Sequence, residues 1–436
     1  MMNNTQNPVF IDVFAGCGGL SLGLIQSGWS GLFAVERDKN AFETLSHNLI
    51  HNDGPGCFKW PKWLPVEPMG VTDMLEQYQD HLKGLKGKVD MLVGGPPCQG
   101  FSSAGKRNPS DPRNRLVEAY LDFVRLIEPR IVLIENVRGI TADFSPNVEG
   151  GVRINYARRI IETLEKQYRV VTNIIDVSQF GVPQKRHRFF IIAIRKELAG
   201  EDFAPFERLE AFRQTFLRNK GISSLPVSTR MAISDLEVTR NGTIPSHETS
   251  GFEEIRYSGP MTSYQGIMRA GAPEGVTDTR LAKHRKDIQE RFAKFIEICH
   301  SEGRLNKSLS PELKASFQLK KSAIRVLDPD QPSPTITSMP DDLIHYSEPR
   351  TLTVRENARI QSFPDFFQFK GKYTTGGERR KQEVPRFTQV ANAVPPLMAE
   401  ALGYVLAKAV EEATLTSETN SQITRGSLKG RSAVLA

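Results

Sequence analysis

The sequence predicts an α/β protein, a doubly wound and mostly parallel sheet with a second, smaller domain. Three observations carry this. Through about residue 195, short and fully apolar runs alternate with longer helical stretches, the pattern of strands buried on both faces. From about 196 to 324 the alternation stops and the composition turns polar. Near Arg325 the order returns and closes on a long amphipathic stretch.

The elements follow in order. Val9–Phe14 (VFIDVF) is a strand running into a glycine cluster, and LSLGLIQSG a helix closed by Gly28. Gly31–Glu36 is the next strand and DKNAFETLSHNL the next helix. VDMLVGG is a strand, followed by a helix at Leu116–Ile127, a strand at Arg130–Val137 and a helix near Ile154–Gln167. RVVTNIIDV and RFFIIAIR, separated by GVPQKRH, read as a long hairpin at one edge. After the polar segment, PSPTITS is extended, TVRENARIQSF is a helix stopped by Pro364, and LMAEALGYVLAKAVEE is an amphipathic helix. The expected organisation is therefore 1–195, an inserted domain at 196–324, a return at 325–413, and a polar tail at 414–436 without fixed structure.

Composition narrows the function classes. The chain has 436 residues, 39% hydrophobic and 25% charged, as in ordinary globular proteins. It has no apolar run long enough for a membrane span, and MMNNTQNPVF is no secretory leader, so a cytoplasmic protein is expected. Cys17, Cys57, Cys98 and Cys299 form no CxxC pair, which speaks against structural zinc and for a reducing compartment. The net charge is +7, and between Arg280 and Arg325 twelve lysines and arginines stand against five acidic residues. That basic segment suits a polyanionic partner.

The candidate chemistry lies at strand ends, where sheets of this kind bind ligands. DVFAGCGGLSLG is a glycine-rich turn opening a helix, with neither the Gly-Lys-Ser/Thr of a P-loop nor the third glycine of a dinucleotide fingerprint. Glu36 ends the next strand, placed to accept from ribose hydroxyls. Asp73, in GVTDM, is expected at a further strand end. This series suggests a nucleoside ligand, and by itself separates no nicotinamide cofactor from S-adenosylmethionine. Cys98 follows Pro96 and Pro97 beyond a strand, in a loop whose prolines fix the backbone. A cysteine held rigidly there is a candidate nucleophile. Glu135 ends the following strand, and Gln184, Arg186 and Arg188 alternate along an extended segment, facing one side.

Together the blocks FIDVFAGCGGLSLGL, VERDKNAFETLSHN, GVTDM, GGPPCQGFS, DPRNRLVEAYL, IENVRG, GVPQKRHRFFIIAIR, RVLDPDQPSPTIT and RFTQVANAVPPLMAEALG resemble DNA (cytosine-5)-methyltransferases of the bacterial restriction–modification type. The resemblance implies a Rossmann-like class I fold using S-adenosylmethionine without a metal. It implies Cys98 as the thiolate that attacks C6 of a flipped-out cytosine, Glu135 at N3, and Arg186 and Arg188 holding the base. Phe14, Gly16, Gly19, Glu36, Asp73, Met74, Pro97, Leu116, Asn392 and Val394 would bind the cofactor. GFSSAGKRNPSDPRN would close over the base, and 196–324 would recognise double-stranded DNA, although the family's short recognition signature is not found there. A monomer is expected, with a cognate restriction endonuclease or defence-system proteins as partner. Three alternatives stay open: a transfer-RNA cytosine methyltransferase, a nucleic-acid-binding regulator without activity, and a nicotinamide-dependent oxidoreductase.

Overall fold

The computed structural model describes residues 7–51, 57–97, 115–142, 155–200, 202–223, 226–319, 323–374 and 383–432, with backbone alone for 415–432. The first part of the chain comprises β1 (Val9–Val13), α1 (Gly19–Gln26), β2 (Ser30–Val35), α2 (Lys39–Leu49), α3 (Val71–Gln77), α4 (Gln79–Lys83), β3 (Met91–Gly94), α5 (Arg115–Ile127), β4 (Ile131–Val137), α6 (Tyr156–Leu164), β5 (Tyr168–Asp176), β6 (Gln184–Lys185) and β7 (His187–Arg195). The polar middle forms α7 (Pro205–Asn219), α8 (Thr229–Ile233), α9 (Val238–Asn241), β8 (Thr243–Pro245), β9 (Glu253–Ile255), α10 (Ser263–Arg269), α11 (Lys286–Ser301) and α12 (Pro311–Ser316). β10 (Arg325–Val326), β11 (Ser333–Pro334), β12 (Leu343–Ile344), α13 (Val354–Ile360), α14 (Arg386–Asn392) and α15 (Pro396–Ser432) follow.

Six strands form the central sheet in the order β2-β1-β3-β4-β7-β5. All neighbours pair in parallel except at β7, which runs antiparallel to both β4 and β5. The expected hairpin is thus present at the edge, with its second strand on the inside. The link between its arms is pinned elsewhere, because β6 pairs in parallel with β11.

The sheet is buried on both faces except along the edge strand β5, as its unbroken apolar runs require. On β1, Phe10 joins the core beneath α1, α7 and α15, while Ile11 and Val13 join the core beneath α3, α5 and α6. α1 lies against α15 so closely that only glycine fits at the contact. A Cβ on Gly23 would stand 2.3 Å from the carbonyl oxygen of Pro396, and one on Gly19 would stand 2.5 Å from that of Val394. The stretch Arg386–Thr414 is apolar enough to cross a membrane by composition, but 78% of its most apolar 18-residue window is buried inside this packing.

Three expectations are corrected. Asp73 lies in the first turn of α3, not at a strand end; Gly70 opens that helix and Met69 N–H is tied to the Glu36 carbonyl. The polar segment does not leave the main body at residue 196, since Leu209, Phe216 and Leu217 of α7 are part of the core shared with α15. The tail from 414, expected to lack structure, continues α15 to Ser432. Extending a helix whose start is already buried adds one hydrogen bond per residue fixed and needs no new nucleus.

The middle segment docks on the body through buried ion pairs. Arg359 of α13 binds Asp235 at 2.6 Å and Asp365 at 2.7 Å. Arg355 binds Asp278 at 3.2 Å, and Arg386 of α14 binds Asp278 at 2.9 Å and Glu248 at 2.7 Å. α11 packs separately, with Phe292, Phe295 and Cys299 closing a small core over Val326 and Ile344.

Candidate active site

A cavity of about 1510 Å3 opens where the carboxyl ends of β1, β2, β3 and β4 meet the segment leading into α15. Single small-ligand pockets run to roughly 300–1,000 Å3, so there is room for more than one bound group. At the end of β1 the chain turns abruptly. Phe14 takes φ 65, an outlier for an aromatic residue, costing about 1–3 kcal/mol. The conformation is fixed by the N–H groups of Phe14 and Ala15, which both donate to the Val35 carbonyl, at 2.9 and 3.1 Å. Half-buried Phe14 is thereby set on the cavity wall. Gly16 follows at φ 57, and a Cβ there would meet nothing within 4 Å, so its backbone lies open to whatever enters.

Two acids flank this turn, Glu36 half-buried and Asp12 buried. Glu36 accepts from Gly16 N–H at 2.9 Å and from Asp38 N–H at 2.7 Å. Burial raises its pKa, opposed by those two bonds. Asp12, inside β1, accepts from the Ser21 hydroxyl through Oδ2 at 2.5 Å, while its Oδ1 has no hydrogen-bond partner. Burial pushes this carboxyl up to about 7; the Ser21 bond works against that and nearby Glu36 adds to it. Cys17 also lines the cavity, but burial pushes its thiol up to about 12, so it stays protonated.

Glu135 and Asn136 end β4. Glu135 is only 8% exposed and pairs with Arg188, Nε to Oε1 at 2.9 Å. The antiparallel register explains the meeting: Val137 stands opposite Arg188, at the start of β7. Arg186, one alternation earlier, is buried and donates to the Ala393 carbonyl at 3.3 Å. Gln184 is fully buried and holds the Ile336 N–H at 3.1 Å, so it braces the wall. Asn136 donates through Nδ2 to the Pro96 carbonyl at 3.0 Å, fastening the proline loop to β4.

The profile described as C-5 cytosine-specific DNA methylase matches residues 9–408. The chain belongs to that family. It is 32% identical to the type II methyltransferase M.DdeI of Desulfomicrobium norvegicum over 95% of this chain and 92% of the relative. It is 29% identical to the type II methyltransferase M.XorII of Xanthomonas oryzae pv. oryzae, covering 93% and 86%. Among solved structures, a prophage-encoded DNA modification methyltransferase of E. coli matches with TM-score 0.62 and 24% identity, over 93% of this chain and all of the other, a likeness of fold. The protein is a DNA (cytosine-5)-methyltransferase, which favours DNA over the transfer-RNA alternative.

The methylase cavity brings together Phe14, Gly16, Glu36, Asp73, Pro97, Leu116, Glu135, Arg186, Arg188, Asn392 and Val394. Two expected cofactor residues are not on its wall. Met74 is fully buried in the core, and its N–H closes the first turn of α3 on the Gly70 carbonyl at 2.9 Å, leaving no donor for a ligand. Gly19 serves the contact between α1 and Val394 instead. Cys98 and the loop from Gly100 to Asn114 lie outside the described residues. Asp12 and Asn136 were missed as site residues. Their signals were faint: an acid in an apolar strand, and an asparagine beside a more conspicuous glutamate.

Proposed function

We propose that the cavity holds S-adenosylmethionine beside a cytosine flipped out of duplex DNA, and that Cys98 is the nucleophile. The observation that carries this is the convergence on one cavity of Glu36, Glu135 with Arg188, and Pro97, the residue bonded to Cys98. The other cysteines are poorer candidates. Cys17 is held protonated, Cys299 is buried in the small core that α11 makes with β10 and β12, and Cys57 is not on the cavity wall.

The wall residues fit a cationic nucleoside. Glu36 suits ribose hydroxyls, Asp73 an adenine amine, and Phe14, Pro97 and Leu116 give apolar flanks. Asn392 and Val394 close the methionine end. When bound, S-adenosylmethionine supplies an electrophilic methyl group. The chain's residues make C5 of the base able to receive it. The Cys98 thiolate adds to C6, breaking the C5–C6 double bond. Glu135 hydrogen-bonds N3 and the exocyclic amine and stabilises the proton at N3. Arg188 orients Glu135, and Arg186 lines the base side. Loss of the C5 proton to a base and expulsion of the thiolate restore the aromatic ring.

The polar segment contacts the duplex. Exposed Arg285, Lys286 and Lys294 of the α11 region and exposed Lys307 would meet phosphates, which position the DNA, while other side chains read bases. The enzyme would act on bacterial DNA in the cytoplasm as a monomer. Pairing with a cognate endonuclease is the setting the names of its type II relatives suggest.

The test is bisulfite sequencing of DNA from a methylation-free host expressing the gene. Wild type is expected to give 5-methylcytosine at one recurrent sequence, and Cys98→Ser none while still binding DNA. Undiminished methylation by Cys98→Ser would refute the mechanism.

A further inference from the structure

Asp278 stands where the middle segment meets the body, and the mechanism above makes no use of it. It is 3% exposed and adopts φ 67, a left-handed backbone that a residue other than glycine keeps only where its surroundings hold it. Four bonds from the body do so. Its Oδ1 accepts from Arg386 Nη1 at 2.9 Å, and its Oδ2 from Arg355 Nη2 at 3.2 Å and Phe369 N–H at 3.1 Å. Its carbonyl accepts from Arg355 N–H at 2.9 Å. Arg355 lies in the first turn of α13, and Arg386 opens α14. Each helix is about 10 Å long, and the two meet again at their far ends. Gln361, just past α13, donates to the carbonyl of Ala393, just past α14, at 2.5 Å. The same carbonyl accepts from Arg186 at 3.3 Å, and Asn392, the last residue of α14, lines the cavity. One carboxylate of the middle segment is thus joined through two short helices to the base-side arginine and to the cofactor wall. In the other direction the chain runs outward. The basic run begins two residues on, at Arg280, held between the rings of Phe252 and Tyr373 at 4.3 and 3.8 Å. It continues through exposed Lys283, Arg285 and Lys286.

We propose that Asp278 is a positioning residue for methyl transfer: it fixes α13 and α14 against the DNA-contacting segment and so sets Arg186 beside the base and Asn392 on the cofactor wall. This rests on the reading of base and cofactor above. Asp278 is not needed merely to seat the segment. Arg359 binds Asp235 independently, and Leu209, Phe216 and Leu217 bury the segment's first helix in the main core. Severing the Asp278 tie therefore leaves the segment on the body and its basic face on the duplex, while the reacting groups lose their register. A misplacement of about 1 Å is enough to slow a reaction roughly a hundredfold.

The experiment is single-turnover transfer of labelled methyl from S-adenosylmethionine to unmethylated chromosomal DNA of the methylation-free host, by the full chain, at saturating DNA and cofactor. Asp278→Asn keeps the shape of the side chain and suits a left-handed backbone, but removes the charge. It is expected to lower the rate constant about tenfold or more, with the affinities for DNA and for S-adenosylmethionine each within about threefold of wild type. Asp278→Asn combined with Arg386→Gln removes both ends of the pair and strands neither charge, so it carries the test should the single variant fail to fold. The same loss of about tenfold or more is expected of it, since the two residues act as one tie. A rate within about twofold of wild type, or one that falls only together with both affinities, would overturn the role of Asp278. Failure of both variants to fold, read by circular dichroism, would overturn it too, by making Asp278 a folding residue. Wild type that transfers no methyl to this DNA would overturn the reading of the site itself.

Discussion

At the scale of single residues, the site depends on side chains whose partners are backbone atoms. Asn136 reaches across from β4 to the Pro96 carbonyl and so sets the path of the loop toward Cys98. Asn136→Ala removes that tether without touching the acids of the cofactor wall. The expected result is a fall in single-turnover methylation of about tenfold or more, as small misplacements of reacting groups cost that much, with S-adenosylmethionine affinity within about twofold. A matched loss of cofactor affinity would show instead that the whole wall had shifted. Glu36 shows the same logic in a residue the sequence did reveal. Its spacing from the glycine turn was legible, but not that both its oxygens are engaged by Gly16 and Asp38 in the ligand-free wall. Any ribose must share or displace those bonds.

At the scale of elements, the strands were legible because burial on both faces writes itself as unbroken apolar runs, as in Ile131–Val137. Helix boundaries were legible where a cap marks them: Asp38 accepts from Ala41 N–H to start α2, and Thr353 with Glu356 forms a capping box at α13. α3 was not, because VTDMLEQ is short and opens on Gly70 with no side-chain cap. Nor was the reversal of β7 against β4, since strand direction is set by tertiary pairing. The close contact of α1 with α15 was not legible either, because it joins segments at opposite ends of the chain. Gly23→Ala would drive a methyl into Pro396 and Ala399, with 2.3 and 2.5 Å separations before relaxation. Overpacking of this kind costs about 1–3 kcal/mol, to be read as a lowered midpoint in urea unfolding with an unchanged slope. An unchanged midpoint would mean that the two helices slide apart freely.

At the scale of the whole molecule, the middle segment and the body are joined by charge buried between them. Arg359 is fully buried between Asp235 and Asp365. Arg359→Met leaves those two carboxylates without their cation. A loss of about 3–5 kcal/mol is expected, measured by thermal or chemical denaturation, and DNA affinity should fall with it as the segment loses its seat. Stability within experimental error of wild type would show that the acids simply take up protons. The alternation of α/β units was enough to foresee the body; this join was not, because its cross-segment partners are distant in sequence, 124 residues for Asp235 and Arg359 and 77 for Asp278 and Arg355, and each looks like ordinary surface charge. The clasp between α1 and α15 has a temporal meaning. Glu36, Glu135 and Arg188 are all made early in synthesis, while the opposing wall at Asn392 and Val394, and the helix that seats it, emerge from the ribosome late. A nascent chain thus owns its reactive groups long before it owns a closed chamber for them, and the host chromosome meets a competent enzyme only once elongation has passed α15.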